Sequence, residues 1–152
     1  MINLKLIQQN NTNDIKVLAD LKLKLMKYHL HYTEKLGIND DELNFYSEQK
    51  ALATLSQRDS YFIMLETAII GYVQVEIKNS IMNSDQILFI HGIYIKEQYR
   101  NYSYAIATFK YLLNKYNLGI ECQCWYDLPA AKIYEKMGFK KIVTHYFFPY
   151  KK

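Results

Sequence analysis

The spacing of apolar residues divides the chain into alternating strands and helices. Apolar residues two positions apart predict strands, and apolar residues three or four positions apart predict helices. The predicted strands are 2–8, 61–66, 69–78, 87–95 and 120–125, with one long strand or two within 139–150. The predicted helices are 15–32, 42–57, 105–117 and a short one that ends at Gly138. This order, without a repeat or a linker, indicates one α/β domain over residues 1–152 with a mixed sheet.

Two of the predicted strands differ in how their apolar residues are placed. In 69–78 the apolar set Val73, Val75 and Ile77 alternates with the polar set Gln74, Glu76 and Lys78. Such alternation predicts an antiparallel strand with one wetter face. Residues 87–95 are apolar on both faces, which is typical of a strand buried on both sides. We expect strand 120–125 to run parallel to it, because a helical crossover joins the two.

A polar turn lies between strand 87–95 and the helix that follows it. The run 96–102 is polar, and the helix begins near Ala105. A helix N-terminus presents backbone N–H groups and a positive dipole end, so it can bind phosphate. Arg100 adds a cation that can contact phosphate oxygens in a bidentate way. The sequence therefore predicts a phosphate site at this turn.

Three residues of the turn carry a resemblance to a known family. Arg100, Ser103 and Ala105 fall on the signature Arg/Gln-x-x-Gly-x-Gly/Ala, so the turn resembles the acyl-coenzyme A motif of the GNAT superfamily of N-acetyltransferases. In that family the turn amides hold the coenzyme pyrophosphate. Ser103 stands where the family usually has glycine. Serine keeps its amide and adds a hydroxyl, but its Cβ restricts φ and the approach of a phosphate.

A second motif follows in the same order as in the family. Ala130, Tyr134, Gly138 and Phe139 match Asn-x-x-Ala-x-x-x-Tyr-x-x-x-Gly-Phe, with Asp127 in the place of Asn. The resemblance covers about residues 87–139. It implies a single-domain GNAT fold, which is a mixed, mostly antiparallel sheet with a central parallel strand pair and about four helices. It also implies an acetyl-coenzyme A-dependent N-acetyltransferase.

The resemblance further implies where the coenzyme lies. A bulge near Gly92 would part the two parallel strands, and the amide near Ile93 would face the thioester carbonyl. The alternative is that Gly92 only fits tight packing. The implied coenzyme contacts are Ile93, Tyr94, Ile95, Arg100, Asn101, Tyr102, Ser103, Tyr104, Ala105, Asp127 and Tyr134.

Three side chains are candidates for the chemistry. Family members commonly place the tyrosine that Tyr134 matches near the coenzyme sulfur, and its ordinary pKa of about 10 lies above that of a thiol. From its position in the family we predict Tyr134 as the acid; the alternative is an amphipathic core tyrosine. His91 is the base candidate by its ordinary pKa of about 6.5, and Glu76 is its substitute. A core histidine, with proton loss through desolvation or water, is the alternative to both.

The acceptor site is predicted from charge and aromatic residues. An acidic segment within a basic protein attracts a cationic amine; it contains Glu34, Asp40, Asp41, Glu42 and Glu48. The alternative is that these carboxylates cap helices and face solvent. An aromatic set lines either the acceptor groove or a homodimer interface; it contains Tyr28, Tyr32, Tyr146, Phe147, Phe148 and Tyr150.

Composition excludes several other classes of protein. The chain has 152 residues and a net charge of +4, and its basic residues are scattered, so we expect no nucleic-acid partner. No apolar run approaches the ~20 residues of a membrane span, and no secretory pattern is present, so we expect a cytoplasmic protein. Cys122 and Cys124 lack a second ligand pair, so we treat them as reduced core residues and expect no metal.

The sequence thus predicts direct acetyl transfer from acetyl-coenzyme A to a small primary amine in a ternary complex. Neither cysteine is placed as a nucleophile, so no acetyl-enzyme is expected. One alternative is a catalytically inactive GNAT-fold binding or sensor module, suggested by Ser103 and by the missing carboxylate on strand 87–95. Another is an acetyltransferase that acts on proteins or peptides.

Overall fold

The structure, a computed structural model, describes residues 1–33, 48–101, 103–124, 129–144, 146 and 148, with only the backbone of 31–33. Its elements are β1 (Ile2–Leu6), α1 (Thr12–Thr33), α2 (Glu48–Leu55), β2 (Asp59–Leu65), β3 (Ala68–Asn79), β4 (Gln86–Ile95), a 3-10 helix (Glu97–Tyr99), α3 (Tyr104–Tyr116), β5 (Ile120–Cys122) and α4 (Pro129–Met137). Each strand and α-helix lies where the apolar spacing predicts one, and the 3-10 helix lies within the predicted polar turn 96–102. Of the predicted helix 42–57, the part before residue 48 lies outside the described residues.

The five described strands form one sheet in the order β1-β2-β3-β4-β5. The first three pairings are antiparallel, and β4 and β5 run parallel. Short connections join β2 to β3 and β3 to β4, whereas α1 and α2 lie between the antiparallel neighbours β1 and β2, and α3 provides the crossover that the parallel pair needs. The predicted GNAT-type sheet, mixed and mostly antiparallel with a parallel pair, is confirmed.

The helices cover the two faces of the sheet in pairs. On one face, Leu18 and Leu21 of α1 and Ala51 of α2 pack with Phe62 and Tyr72. On the other face, α3 buries Phe109 and Leu112 in a cluster that continues into α4 and contains Leu4, Val73, Val75, Leu88 and Ile90. Burial of apolar surface on both faces explains why β4 is apolar on both of its sides.

The wetter face predicted for β3 is wrong at Gln74. The Gln74 side chain is 1% exposed, whereas Ile77 on the opposite face is 48% exposed. Helices α1 and α2 cover the sheet at Gln74, and three side chains satisfy its amide. Its Nε2 donates to Thr54 Oγ1 (2.9 Å) and Ser60 Oγ (2.8 Å), and its Oε1 accepts from Lys22 Nζ at 2.6 Å. Full hydrogen bonding lets a polar residue occupy a buried strand position.

The strands predicted within 139–150 are absent from the described residues of that segment. Residues 139–144, 146 and 148 belong to no helix or strand. Their side chains are mostly exposed, with Tyr146 at 87% and Phe148 at 93%. Aromatic and β-branched residues favour strands only when they pack on a sheet surface. Here only Phe139 packs against the core, and the other described residues of the segment are exposed, so the prediction was wrong for these residues.

Candidate active site

Strand β4 contains a bulge at His91. Val75 of β3 pairs with Ile90, but Gln74 pairs with Gly92, so His91 is an extra residue in β4. The parallel pairing of β4 with β5 ends at the same place, because its last pair is Ile90 with Cys122. Bulges of this kind bend a strand and interrupt its pairing. From His91 onward, β4 continues beside β3, and no described residue extends its parallel pairing with β5.

Backbone groups of β4 beyond the bulge point toward the side that β5 has left. The Lys96 N–H donates to Ile70 O at 2.8 Å and so points toward β3. Because backbone groups alternate sides along a strand, the N–H and C=O groups of Ile95 and Ile93 point the other way. The Arg100 Nε donates to Ile95 O at 2.9 Å, which agrees with this direction. The Ile93 N–H therefore points away from β3.

Gly92 lies next to the bulge and is also tightly packed. It directly follows the bulged residue, and a Cβ at Gly92 would lie 3.2 Å from the Tyr72 hydroxyl and 3.6 Å from Leu25 Cδ2. A second glycine was missed in the sequence: a Cβ at Gly71 would collide with the backbone carbonyl of Tyr94. Its only sequence signal is a glycine inside a strand pattern.

The turn before α3 contains two residues with left-handed backbone. Asn101 has φ 70°, and Ser103, the N-cap of α3, has φ 62° and ψ 20°. Ser103 makes no capping hydrogen bond through its side chain, and the Ala107 N–H donates to its carbonyl at 3.0 Å. Glycine adopts this conformation without steric cost, which is a physical reason for glycine at this place in the family motif. Tyr102 lies outside the described residues.

Arg100 is held by two aromatic rings. Its guanidinium carbon lies 4.8 Å from the centre of the Tyr28 ring and 5.3 Å from that of Tyr94. The guanidinium is partly exposed. Stacking on ring faces, together with the bond to Ile95 O, fixes its plane. Sequence reasoning placed Tyr28 in an aromatic set and missed its contact with Arg100, because α1 is far from the turn in sequence.

Tyr134 lies against α3 in an aromatic cluster. Its ring centre is 5.8 Å from that of Phe109 and 5.5 Å from that of Phe139. None of the residues that the structure describes hydrogen-bonds its hydroxyl. Burial, with a smaller contribution from the thiols of Cys122 and Cys124, raises the pKa of Tyr134. The hydroxyl therefore keeps its proton through the neutral range and can act as a donor at the end of β5.

The two base candidates, His91 and Glu76, lie in contact. His91 Nε2 is 2.6 Å from Glu76 Oε2, and the side chains are 17% and 39% exposed. The hydrogen bond from His91 lowers the pKa of Glu76. Burial lowers the pKa of His91 more than the carboxylate raises it. At neutral pH the pair is therefore a carboxylate and a neutral imidazole that donates from Nε2 and keeps Nδ1 as an acceptor.

Lys22 is a further titratable group on the α1–α2 face. Burial, with the charge of Arg58 as a smaller cause, lowers its pKa to about 8. Its Nζ donates to Gln74 Oε1, and Gln74 pairs across the strands with Gly92. A polar network thus lies behind the bulge. The sequence contained no signal for it, because Lys22, Thr54, Ser60 and Gln74 come from four different elements.

Several predicted site residues cannot be placed. Asp127 and Tyr102 lie outside the described residues, as do the acidic residues Glu34, Asp40, Asp41 and Glu42 and the aromatic residues Phe147 and Tyr150. Glu48 is exposed at the start of α2.

In the part of the chain that is described, no group of three or more His, Cys, Asp or Glu side chains could hold a metal ion. No described helix is long and apolar enough to cross a bilayer.

The mixed sheet, the bulge in β4 and the turn with Arg100 before α3 define an α/β protein with a helix N-terminus at a strand-to-helix junction, a place where an anion can bind. The family model of the acetyltransferase (GNAT) family matches residues 25–139. The chain therefore belongs to the GNAT family, as its two motifs predicted. A search of curated protein sequences finds no match.

Solved structures share this fold at low sequence identity. A mutant of the BH1408 protein from Bacillus halodurans aligns with a TM-score of 0.76 at 13% identity, over 99% of each chain. AAC(6')-Iy in complex with the bisubstrate analogue CoA-S-monomethyl-acetylneamine aligns with a TM-score of 0.66 at 15% identity, over 100% of this chain and 99% of the other. A predicted acetyltransferase from Clostridium acetobutylicum, solved with acetyl-CoA, aligns with a TM-score of 0.61 at 18% identity, over 98% and 96%.

Proposed function

We propose that this GNAT-family chain transfers an acetyl group from acetyl-coenzyme A to the primary amine of a small molecule, by direct attack in a ternary complex. The observation that supports this most strongly is the parting of β4 from β5 after Ile90 and Cys122. Beyond this point no described residue of the segment after β5 pairs with β4, so the Ile93 N–H, which points away from β3, has no described strand partner on that side. A thioester arm placed there would meet donors for its carbonyl on one side.

The turn before α3 suits the diphosphate of the coenzyme. The first amides of a 13-residue helix have no intrahelical carbonyl partners. The left-handed residues Asn101 and Ser103 shape the turn beside them, and Arg100 adds a positive charge held by Tyr28 and Tyr94. When bound, acetyl-coenzyme A would supply the activated acetyl thioester.

The Ile93 amide is the proposed donor for the oxyanion. It lies two residues after the bulge and points away from β3, so a tetrahedral oxygen on the open side could accept its N–H. One oriented backbone donor of this kind typically contributes about 10²–10³ in rate.

Tyr134 is the proposed donor to the leaving sulfur. Its pKa is raised, whereas a thiol has an ordinary pKa of about 8.5. Complete proton transfer to a thiolate runs uphill already at the ordinary tyrosine pKa of about 10, and the raised pKa increases that cost. A hydrogen bond from the protonated hydroxyl stabilises the thiolate without that cost. This changes the role expected from the sequence, from an acid that gives up its proton to a hydrogen-bond donor.

The pair of His91 and Glu76 is the proposed base. The Glu76 carboxylate accepts from His91 Nε2, which leaves Nδ1 of the neutral imidazole able to accept a proton from the amine. With such a pair, no carboxylate is needed on β4 itself, because the pairing of β3 with β4 places Glu76 beside His91.

The proposed acceptor is a small molecule with a cationic ammonium. The carboxylate of Glu76 favours a positive group near the pair, and the exposed Glu48 belongs to the acidic segment that motivated the prediction. The neamine-type analogue in AAC(6')-Iy is consistent with a small amine on this fold.

A binding or sensor module without catalysis is the second candidate. One observation favours it: Ser103 adopts the left-handed conformation at the phosphate turn with a Cβ that would narrow the approach of a phosphate.

Two measurements test the proposal together. Calorimetry with acetyl-coenzyme A should give a dissociation constant of about 1 μM to 1 mM, and a thiol-release assay should respond to small amines. Binding without thiol release from any amine would support the sensor module. Thiol release with peptides but not with small amines would show that the acceptor is a protein or peptide. If no acetyl-coenzyme A bound at millimolar concentration, the transferase proposal would be contradicted.

A further inference from the structure

A cleft of about 210 Å³ lies beside the proposed base, between the end of α2 and the second half of β3. Its walls include Arg58 and Asp59 at the start of β2, and Glu76 and Ile77 on β3. Glu76 therefore faces the cleft while its carboxylate also accepts from His91. This volume lies below the ~300–1,000 Å³ of typical ligand pockets, so the cleft has room for a small molecule only.

The guanidinium of Arg58 is available to a ligand. The side chain is partly buried, and its backbone N–H donates to Thr54 O at 3.0 Å. Among the described residues, no carboxylate or carbonyl pairs with the guanidinium itself. The neighbouring carboxylate of Asp59 instead accepts a hydrogen bond from the Tyr116 hydroxyl at 2.7 Å. A partly exposed guanidinium that no described carboxylate or carbonyl contacts can donate to water or to an anionic group of a ligand.

Positive charge extends from Arg58 toward the bulge. The charge of Arg58 lowers the pKa of Lys22, Glu76 and His91, so all three lie within its electrostatic reach. Lys78 lies next to this group, with its Nζ 4.7 Å from the centre of the Phe89 ring. The wall of the cleft itself thus contains one cation, Arg58, and two carboxylates, Asp59 and Glu76, of which Glu76 belongs to the base pair.

We propose that Arg58 binds a carboxylate of the acceptor, so that the substrate is a small amino acid whose ammonium lies toward Glu76 and His91. This inference rests on the proposed function and names the substrate class of the same site. A planar carboxylate matches the fork of a guanidinium. A phosphate dianion fits less well, because Asp59 and Glu76 line the same cleft and would repel its second charge.

The test uses pairs of acceptors that differ only in charge. Thiol release from acetyl-coenzyme A is measured with alanine and alaninamide, and with 4-aminobutyrate and 4-aminobutyramide. The carboxylate member of at least one pair should have a kcat/KM at least about tenfold higher, the ratio that one charged hydrogen-bonded contact supplies. The ammonium group of alaninamide loses its proton more easily than that of alanine, so a larger fraction of alaninamide is in the reactive neutral form. A higher kcat/KM for alanine would therefore be found against this difference in reactivity.

Variants connect the preference to Arg58. In Arg58→Gln the ratio within that pair should fall to about one, and Arg58→Lys should keep part of it because it retains charge without the fork. Lys50→Gln is the matched control, since Lys50 is exposed on α2 and does not line the cleft; its ratio should equal that of the parent chain. Amides that react as well as the acids, or a ratio that survives Arg58→Gln, would overturn the proposal.

A binding measurement separates this inference from the proposed function. Saturation-transfer NMR with N-acetylalanine and N-acetylalaninamide, in the presence of coenzyme A, reports the cleft without turnover. Binding of the acid to the parent chain and its loss in Arg58→Gln would support the cleft even if no amine released thiol. Thiol release with uncharged amines, without Arg58-dependent binding of the acid, would leave the transferase standing and remove the carboxylate site.

Discussion

At the residue scale, Ser103 shows how one backbone angle affects both stability and ligand binding. Its φ of 62° lies in the left-handed region, which costs a non-glycine residue about 1–2 kcal/mol. The family motif already indicated that glycine is usual at this position. The sequence could not show whether the chain keeps the glycine-like conformation with a serine, because that depends on the surrounding turn.

Ser103→Gly should raise the free energy of unfolding by about 0.5–1 kcal/mol, since the relieved strain exceeds the added entropy of glycine in the unfolded chain. Urea unfolding measures this change. Ser103→Gly should also lower the dissociation constant of acetyl-coenzyme A, as measured by calorimetry. Ser103→Ala is the control, because it removes the hydroxyl but keeps the Cβ; an equal gain in stability there would show that φ is not the cause.

Tyr134→Phe should lower kcat about tenfold to a hundredfold and leave the coenzyme dissociation constant nearly unchanged. Phenylalanine keeps the ring contacts with Phe109 and Phe139 but cannot stabilise the thiolate. Single-turnover rates and calorimetry give the two quantities. Tyr111→Phe, on α3, is a matched loss of one hydroxyl, and an equal fall in kcat there would argue against a specific role for Tyr134.

The pH dependence of Glu76→Gln tests the base pair. The bond to Glu76 raises the pKa of His91 against the effect of burial, so its removal should lower that pKa further. A base acts when deprotonated, so the acidic limb of the kcat/KM profile should move to lower pH while kcat falls. Glu66→Gln, an exposed change in the β2–β3 turn, should leave the profile in place. If the acidic limb of the kcat/KM profile lay at the same pH in Glu76→Gln as in the parent chain, the proposed role of Glu76 beside His91 would be contradicted.

At the element scale, the β3–β4 ladder depends on a glycine opposite a backbone carbonyl. Gly71 packs so closely on the Tyr94 carbonyl that a Cβ cannot fit without a shift of the strands. Hydrophobic alternation predicted both strands but not this contact, because register decides which residues face each other. The same register produces the bulge at His91 and so sets where β4 leaves β5.

Gly71→Ala should destabilise the protein by about 1–3 kcal/mol, the usual cost of forcing an extra carbon into a packed site. Gly119→Ala is the matched control, because its Cβ would lie 3.9 Å from Ile87 Cγ2, an ordinary contact. Thermal and urea unfolding compare the two variants. If both variants had the same free energy of unfolding, the strands would accommodate the added carbon at position 71 without a loss of stability, and the prediction would be wrong.

At the scale of the whole molecule, two helix pairs on opposite faces of one sheet create two different environments. The α3–α4 face has an aromatic cluster around Tyr134, and the α1–α2 face buries the polar network of Lys22, Thr54, Ser60 and Gln74. The environment of Lys22 is a property of the packed molecule, so the pH dependence of stability should reveal it.

Stability should rise with pH through Lys22. Its pKa is about 8 in the folded chain and 10.5 in its reference state, so between these values the unfolded chain binds more protons. Its contribution to the free energy of unfolding therefore increases from about pH 8 to pH 10.5. The difference between the parent chain and Lys22→Gln should grow over this range, whereas Lys24→Gln, on the exposed side of α1, should show no such trend. A flat difference for Lys22→Gln would contradict the lowered pKa.

The sequence by itself determined the order of elements, the mixed sheet, the family and the turn before α3, because local periodicity and two short motifs carry this information. Only the tertiary structure decided that Gln74 is buried, that Glu76 reaches His91, that Tyr28 holds Arg100 and that Arg58 faces a cleft. These contacts join residues from elements distant in the chain. Strand register and helix docking set them, and both arise from packing, which no single segment of sequence encodes.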